Sequence, residues 1–397
     1  MIYKAIKNRK SSDDIIVGLL FLYLGIVYFS KAISNTLLVI IIFLYLMSII
    51  RKKIKIDLNR HFIIRYLLII TPFVLTIIST LLSDNVERGI RFIWLRIPIL
   101  IIPFIVLSIK IKKEILLIGS KFFILLSVIA SVISISNAYI LFNDKGAILN
   151  PNYADLVTVI QHPYFGIFQL ISLVLLIEVV LYKNNKNIFF AIPFLIIGII
   201  LSTSRLVYLL AILLAVYYII IKLTKQISIP LIIIVLSVFS TLIITNNSLK
   251  NKVLRTVEYK NSPRLWLWNN AYKVLKNSKH PLFGVGIGDY YTNTKDPYFF
   301  REKEKGTMGY NPHNQYLEFI LTNGVIGLLF IVSMGTIFYI IYRRSKMSVI
   351  IFLIIASFTF TENILNRQFG VQLYSFFIPL LLAKYNKSDS FISSSSR

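Results

Sequence analysis

The chain has 397 residues, 56% of them hydrophobic and 15% charged, with a mean hydropathy of +0.74, which is too apolar for a soluble domain and fits a polytopic membrane protein. The formal net charge of +26 lies mostly in short clusters between apolar runs, a pattern of membrane topology that argues against a nucleic-acid partner. With no cysteine, disulfides, thiolate catalysis and cysteine metal sites are excluded as well.

A helix needs roughly 20 apolar residues to cross a bilayer. Apolar runs of about that length predict spans near 15–30, 32–50, 62–82, 92–109, 115–142, 164–182, 188–204, 205–221, 228–245, 315–342, 347–361 and 369–383. The expected fold is therefore all-α, a polytopic integral membrane protein of about twelve transmembrane helices with one long outside loop containing short amphipathic helices. The first run follows Lys4, Lys7, Arg9 and Lys10, and no small-residue cleavage site comes after it, so it reads as a retained helix. Lysine and arginine fill every second loop, from Arg51–Lys55 and Lys110–Lys113 through Lys183, Lys222 and Arg343–Lys346 to Lys384. Those loops are expected inside, with the N-terminus cytoplasmic. The chain then divides into N-terminal spans (1–245), a long outside loop (246–312), C-terminal spans (313–385) and a serine-rich tail (386–397).

The outside face carries the unusual sequence. Pro263 to Lys276 has apolar Leu265, Trp268, Tyr272 and Leu275 at helical spacing, predicting an amphipathic helix at the interface. Residues 289–310 have no periodicity and read as a mobile loop or lid. Ser262-Pro263 and Asn311-Pro312 each resemble an N-cap followed by proline at the first helical position. That would put Arg264 and His313 in first helical turns, at the end of a helix that favours an anion, so the two helix starts are expected to face one anionic group. Gly284-Val285-Gly286-Ile287-Gly288 lacks the spacing of a dinucleotide fingerprint; it reads as a tight turn whose backbone, at Gly286 above all, can approach a ligand or a neighbouring helix. Gly324 and Gly327 read as close helix contacts.

Arginine near membrane depth marks a pathway or an anionic partner, and its planar fork suits phosphate. Arg205, in the turn after Ser202-Thr203-Ser204, Arg264 and Arg367 are the candidates; the alternative is that they snorkel to headgroups or pair with Glu362 or Asp289. His313 is the candidate general base, a helix start there favouring the neutral imidazole. His162, before Pro163, is a second, and Tyr316 is a further substrate-binding candidate. His280, before Pro281, reads as structural. No Asp-x-Asp occurs and no histidines have zinc spacing, so neither a metal nor another cofactor is expected, and arginines would take the place of a divalent ion.

With those residues in view, the chain resembles the bacterial O-antigen ligase and O-antigen polymerase-like membrane glycosyltransferases. The likeness is strongest over 262–330, in Pro263-Arg264 with Trp266 and Trp268, in His280-Pro281-Leu282-Phe283-Gly284-Val285-Gly286, and in Pro312-His313-Asn314-Gln315-Tyr316-Leu317 leading to Gly324 and Gly327. Ser204-Arg205 and Thr361-Glu362-Asn363 are similar to the family too. The resemblance implies transfer of a glycan from undecaprenyl diphosphate to an acceptor hydroxyl at the periplasmic side of the inner membrane. Residues matching Arg205 and Arg264 would hold the diphosphate, and one matching His313 would serve the acceptor. A ligase loading lipid A–core is the reading favoured, with a polymerase of lipid-linked repeat units as the alternative. A transporter would place its polar residues at mid-membrane in two related halves, which the sequence does not show.

Overall fold

The computed structural model describes residues 12–54, 56–145, 153–177, 189–222, 263–278, 281–289, 311–343 and 346–383, with residues 237 and 250. Most of these residues are helical, with no strand among them. In chain order the helices are α1 (Ser12–Ile26), α2 (Lys31–Ile50), α3 (Arg60–Leu81), α4 (Val86–Ser108), α5 (Lys113–Lys145), the single turn α6 (Ala154–Val157), α7 (His162–Leu175), α8 (Ala191–Leu201), α9 (Arg205–Lys222), α10 (Pro263–Asn277), α11 (Gln315–Asn323), α12 (Leu328–Tyr342), α13 (Lys346–Thr361) and α14 (Gln368–Leu382). Among the described residues, five stretches are long and apolar enough to cross a bilayer: α2, α3, α4, Lys113–Asp144 of α5, and Gln315–Tyr342, which joins α11 to α12. Helices α7, α8, α9, α13 and α14 are apolar but shorter. The chain is thus a helical membrane protein. The span expected at 228–245 apart from residue 237, residues 290–310 of the expected loop, His280 and the tail from 386 lie outside the described residues.

Two compact units divide the chain. One comprises Met1–Val27, Lys31–Gly119 and Pro263–Arg397; the other comprises Tyr28–Ser30 and Ser120–Ser262. At the centre of the first unit stands α14, buried at every position from Phe369 to Leu382. A helix apolar on all sides belongs in such a place. Helix α4 packs against both α14 and α3. In the second unit, α7 is buried along most of its length against α8, and Gly198 of α8 leaves room for the side chains of Ser131 of α5 and Gln169 of α7, which would crowd any Cβ there.

Helix α4 begins six residues before the span expected at 92. Asn85 supplies an N-cap, its side chain accepting from the Arg88 N–H at 3.0 Å. Asp289 takes the N–H groups of Asp84 and Asn85 at 2.7 and 2.8 Å. Hydropathy read the polar stretch 83–88 as loop because capping, not apolarity, starts this helix.

The expected span at 315–342 is interrupted after Asn323 by the 3₁₀ turn Gly324–Gly327. There the glycine stretch 284–288 meets the end of α11. Val285 and Gly286 donate their N–H groups to the carbonyls of Leu321 and Thr322 at 2.9 and 3.1 Å, and Val325 donates to Leu282 at 3.0 Å. The Ser79 hydroxyl adds a bond to Thr322 at 2.8 Å. Carbonyls that a helix end leaves unpaired are thereby satisfied. Gly284 and Gly324 both have positive φ, +81° and +60°, and a Cβ on either would stand inside the backbone of the other's segment. Gly324→Ala should therefore lower the stability of the detergent-solubilised protein by about 1–3 kcal/mol, read as a depressed unfolding midpoint; an unchanged midpoint would show that the junction is loose.

Candidate functional site

The site forms in the first unit, where two polypeptide segments converge on the carboxylate of Glu362, carried by a third. Helix α10 forms as its spacing predicted and starts at Pro263, which places Arg264 in its first turn; Ser262 lies outside the described residues. The Arg264 guanidinium donates to Glu362 Oε1 at 3.4 Å. From the second segment, His313 presents Nδ1 to Glu362 Oε2 at 2.9 Å. Glu362 itself follows the end of α13. Arg264 and His313 side chains are each 39% exposed and Glu362 22%, so the cluster is open to a ligand.

The expectation about helix starts is half right. Arg264 sits in a first turn; His313 does not. Helix α11 begins at Gln315, and its N-cap is Asn314, whose side chain accepts from the Leu317 N–H at 3.1 Å. Asn311 instead folds its side chain onto the His313 N–H at 3.0 Å. His313 lies just before the cap with φ +46°, a left-handed conformation rare for a residue with a side chain. Its ring is oriented by Glu362, not by a helix end. The anion that the two segments face is a carboxylate of the chain itself.

Chemistry follows from that contact. An ionised carboxylate only accepts hydrogen bonds, so in the neutral ring Nδ1 carries the proton and the Nε2 lone pair is left to take one from a hydroxyl. Arg264 spends one guanidinium nitrogen on Glu362 at long range, and the rest of its fork of donors suits an anion. Trp268, one turn further along α10, donates from Nε1 to the Pro312 carbonyl at 2.9 Å and packs edge-on against Phe360. The aromatic residue of α10 thus ties the histidine segment down beside the arginine.

Beneath the cluster lies a buried polar network that the sequence reading missed. Arg96 of α4 and Glu318 of α11, 222 residues apart, pair at 2.9 Å with side chains 0% and 1% exposed. Arg96 also donates to Thr76 Oγ1 at 2.6 Å, to the Leu365 carbonyl at 3.1 Å and to Asn366 Oδ1 at 2.6 Å, while its guanidinium lies near the rings of Phe92 and Phe319. Glu318 accepts from Gln315, Asn363 and Asn366. Asn363 in turn accepts from the Asn314 N–H at 2.6 Å, and Gln315 accepts from the Leu365 N–H at 2.8 Å. Removing one partner from such a pair strands a buried charge and typically costs about 3–5 kcal/mol. The available signal was a charge inside each of two apolar spans.

Each remaining candidate has a defined place. Tyr316 packs its ring on Phe330 and directs its hydroxyl toward the Ala356 carbonyl at 3.5 Å. Gly286, φ +77°, approaches Ser83 and the end of α11, so its backbone closeness is to a neighbouring helix. Arg367 is exposed directly after the 3₁₀ turn Ile364–Asn366. Arg205 and His162 belong to the second unit. Arg205 is half-buried in the first turn of α9, after the tight turn that the sequence predicted, in which Thr203 has φ +44°. His162 opens α7, and Asp155 accepts both its N–H at 2.8 Å and its Nδ1 contact at 2.7 Å. Both candidate histidines therefore hold a carboxylate on Nδ1.

Fold and site together define a helical membrane protein with a histidine–carboxylate–arginine cluster. Residues 189–332 match the family model described as O-antigen ligase, so the chain carries an O-antigen ligase-like domain, as its motifs implied. The match includes Arg205, Arg264, Gly286, His313 and Tyr316; it excludes His162, Glu362 and Arg367. No curated protein matches the chain.

Proposed function

We propose that this chain is an O-antigen ligase-like glycosyltransferase that moves a glycan from undecaprenyl diphosphate to an acceptor hydroxyl, that of lipid A–core, at the periplasmic face of the inner membrane. The observation that carries this reading is the convergence of Arg264 and His313 on Glu362, with both of its partners inside the matched segment. In the reaction, His313 Nε2 takes the acceptor proton as the acceptor oxygen bonds to the anomeric carbon. The bond from that carbon to the diphosphate oxygen breaks on the opposite face, inverting the centre, and the lipid diphosphate leaves with the electron pair. Glu362 holds the histidine tautomer and stabilises the imidazolium that forms. Arg264 meets the charge that grows on the departing diphosphate.

Arg205, by family likeness, and Arg367, by its exposed guanidinium, are assigned to the diphosphate donor as well. Tyr316, Gly286 and His162 remain substrate-binding assignments, each to be tested by single substitution. No metal or other cofactor enters the step, since arginines take the charge that a divalent ion would otherwise meet.

Purified protein given a synthetic lipid-diphosphate sugar and an acceptor should release lipid diphosphate and form an inverted glycosidic bond. Transfer should persist in EDTA. A complete loss restored by magnesium or manganese would overturn the metal-free mechanism, and no transfer under any condition would overturn the enzyme reading. In cells, loss of the protein should leave lipid-linked chains unattached; single repeats on the surface lipid would identify a polymerase.

The expected topology, with about twelve spans and the N-terminus cytoplasmic, puts 246–312 outside. Because the chain has no cysteine, Lys295→Cys and Arg344→Cys should react with an impermeant thiol reagent from opposite sides of the membrane. Labelling from the same side would remove the active cluster from the periplasm.

A further inference from the structure

We propose that the buried Arg96–Glu318 pair is a positioning element for the His313–Glu362 contact, a role that rests on the glycan-transfer reading above. Neither side chain is exposed enough to touch a substrate. Besides Thr76 and Gln315, they bond the segment after α13 that carries Glu362, and Asn363 links that segment to the residue beside His313. Glu318 Oε2 accepts from the side-chain amides of Asn363 and Asn366, and Asn363 passes the restraint to the Asn314 N–H, next to His313. Arg96 holds the same 3₁₀ turn from the other side, through the Leu365 carbonyl and Asn366 Oδ1. Glu362 directly precedes Asn363, so one ion pair fixes both the residue before α11 that bears the imidazole and the residue after α13 that orients it. Stability alone does not account for the pair, because well-packed apolar residues of similar volume are often as stable or more so. Precision does: a misplacement of about 1 Å in a catalytic group can lower a rate roughly 100-fold.

The test is the double variant Arg96→Met with Glu318→Met, which removes both buried charges together. It should remain monodisperse with a near-native unfolding midpoint. Transfer should fall roughly 100-fold, mainly in kcat, while KM for the lipid-diphosphate donor changes by only a few-fold. A readout independent of the reaction is the ring ¹⁵N spectrum, which contains only four histidines. The His313 signal, assigned by its loss in a His313 variant, should move while the other three stay. A folded double variant with native transfer and an unmoved His313 signal would reduce the pair to packing and overturn the proposal. If the unaltered protein transfers no glycan, the glycan-transfer reading falls, and the His313 signal alone decides whether the pair positions the ring. Should the double variant misfold, Asn363→Ala leaves Arg96 and Glu318 paired and cuts only their link to the histidine segment. Reduced transfer with a moved His313 signal then supports the proposal, and native transfer with an unmoved signal overturns it.

Discussion

His313→Asn should reduce glycan transfer by about 10²–10⁴-fold while donor binding survives, since that is the usual effect of removing a general base. Asparagine is the informative replacement. At φ +46° the backbone is left-handed, and asparagine tolerates that region far better than alanine does. His313→Ala would mix the loss of the base with backbone strain; a comparison of the two separates them. Glu362→Gln should show a milder loss, because the amide keeps an oxygen for Nδ1–H but stabilises the imidazolium less. Single-turnover rates and equilibrium binding of the lipid-diphosphate donor provide the measurement. If His313→Asn removes donor binding and spares turnover of bound donor, the histidine is a phosphate ligand and His162 becomes the next base to test.

Arg264→Ala should weaken donor binding as well as turnover, by about 1.5–3 kcal/mol for a charge-assisted hydrogen bond, or roughly 10- to 150-fold. Arg264→Lys should recover only part, because the charge returns without the fork. The structure adds a second consequence. Arg264 lies 3.4 Å from Glu362, the carboxylate that orients His313. Losing the arginine leaves the histidine as the remaining side-chain partner of the Glu362 carboxylate in the cluster, so donor affinity and base orientation should both respond. An Arg264→Ala protein with native donor affinity would exclude the arginine from the diphosphate.

Much of the fold was legible, because apolar runs and basic loops leave their mark residue by residue. Helix α10 was predicted from four apolar positions and forms across them. Helix α13, expected at 347–361, is Lys346–Thr361, and α14, expected at 369–383, is Gln368–Leu382. The misplaced start of α11 has a local cause: Asn311 and Asn314 are both capable N-caps, and the proline after Asn311 favoured the wrong one. What decided the matter is that the Asn311 side chain is used on the His313 N–H, leaving Asn314 to cap. Arg264 and His313 stood out by residue type and setting. Glu362 was visible only as one possible arginine partner, and its role between the two depends on a fold that brings residues 264, 313 and 362 together. Arg96 and Glu318 were harder still, since no local pattern announces a pairing across 222 residues.

Helix α11 is held at both ends: Asn314 and the network at Asn363 fix its start, and the glycine stretch 284–288 covers its last carbonyls. It is a rod of nine residues, about 13 Å long. A rod so held behaves as a strut: a displacement of the glycine stretch at its last turn is carried to its first turn, and with it to the cap residue next to His313.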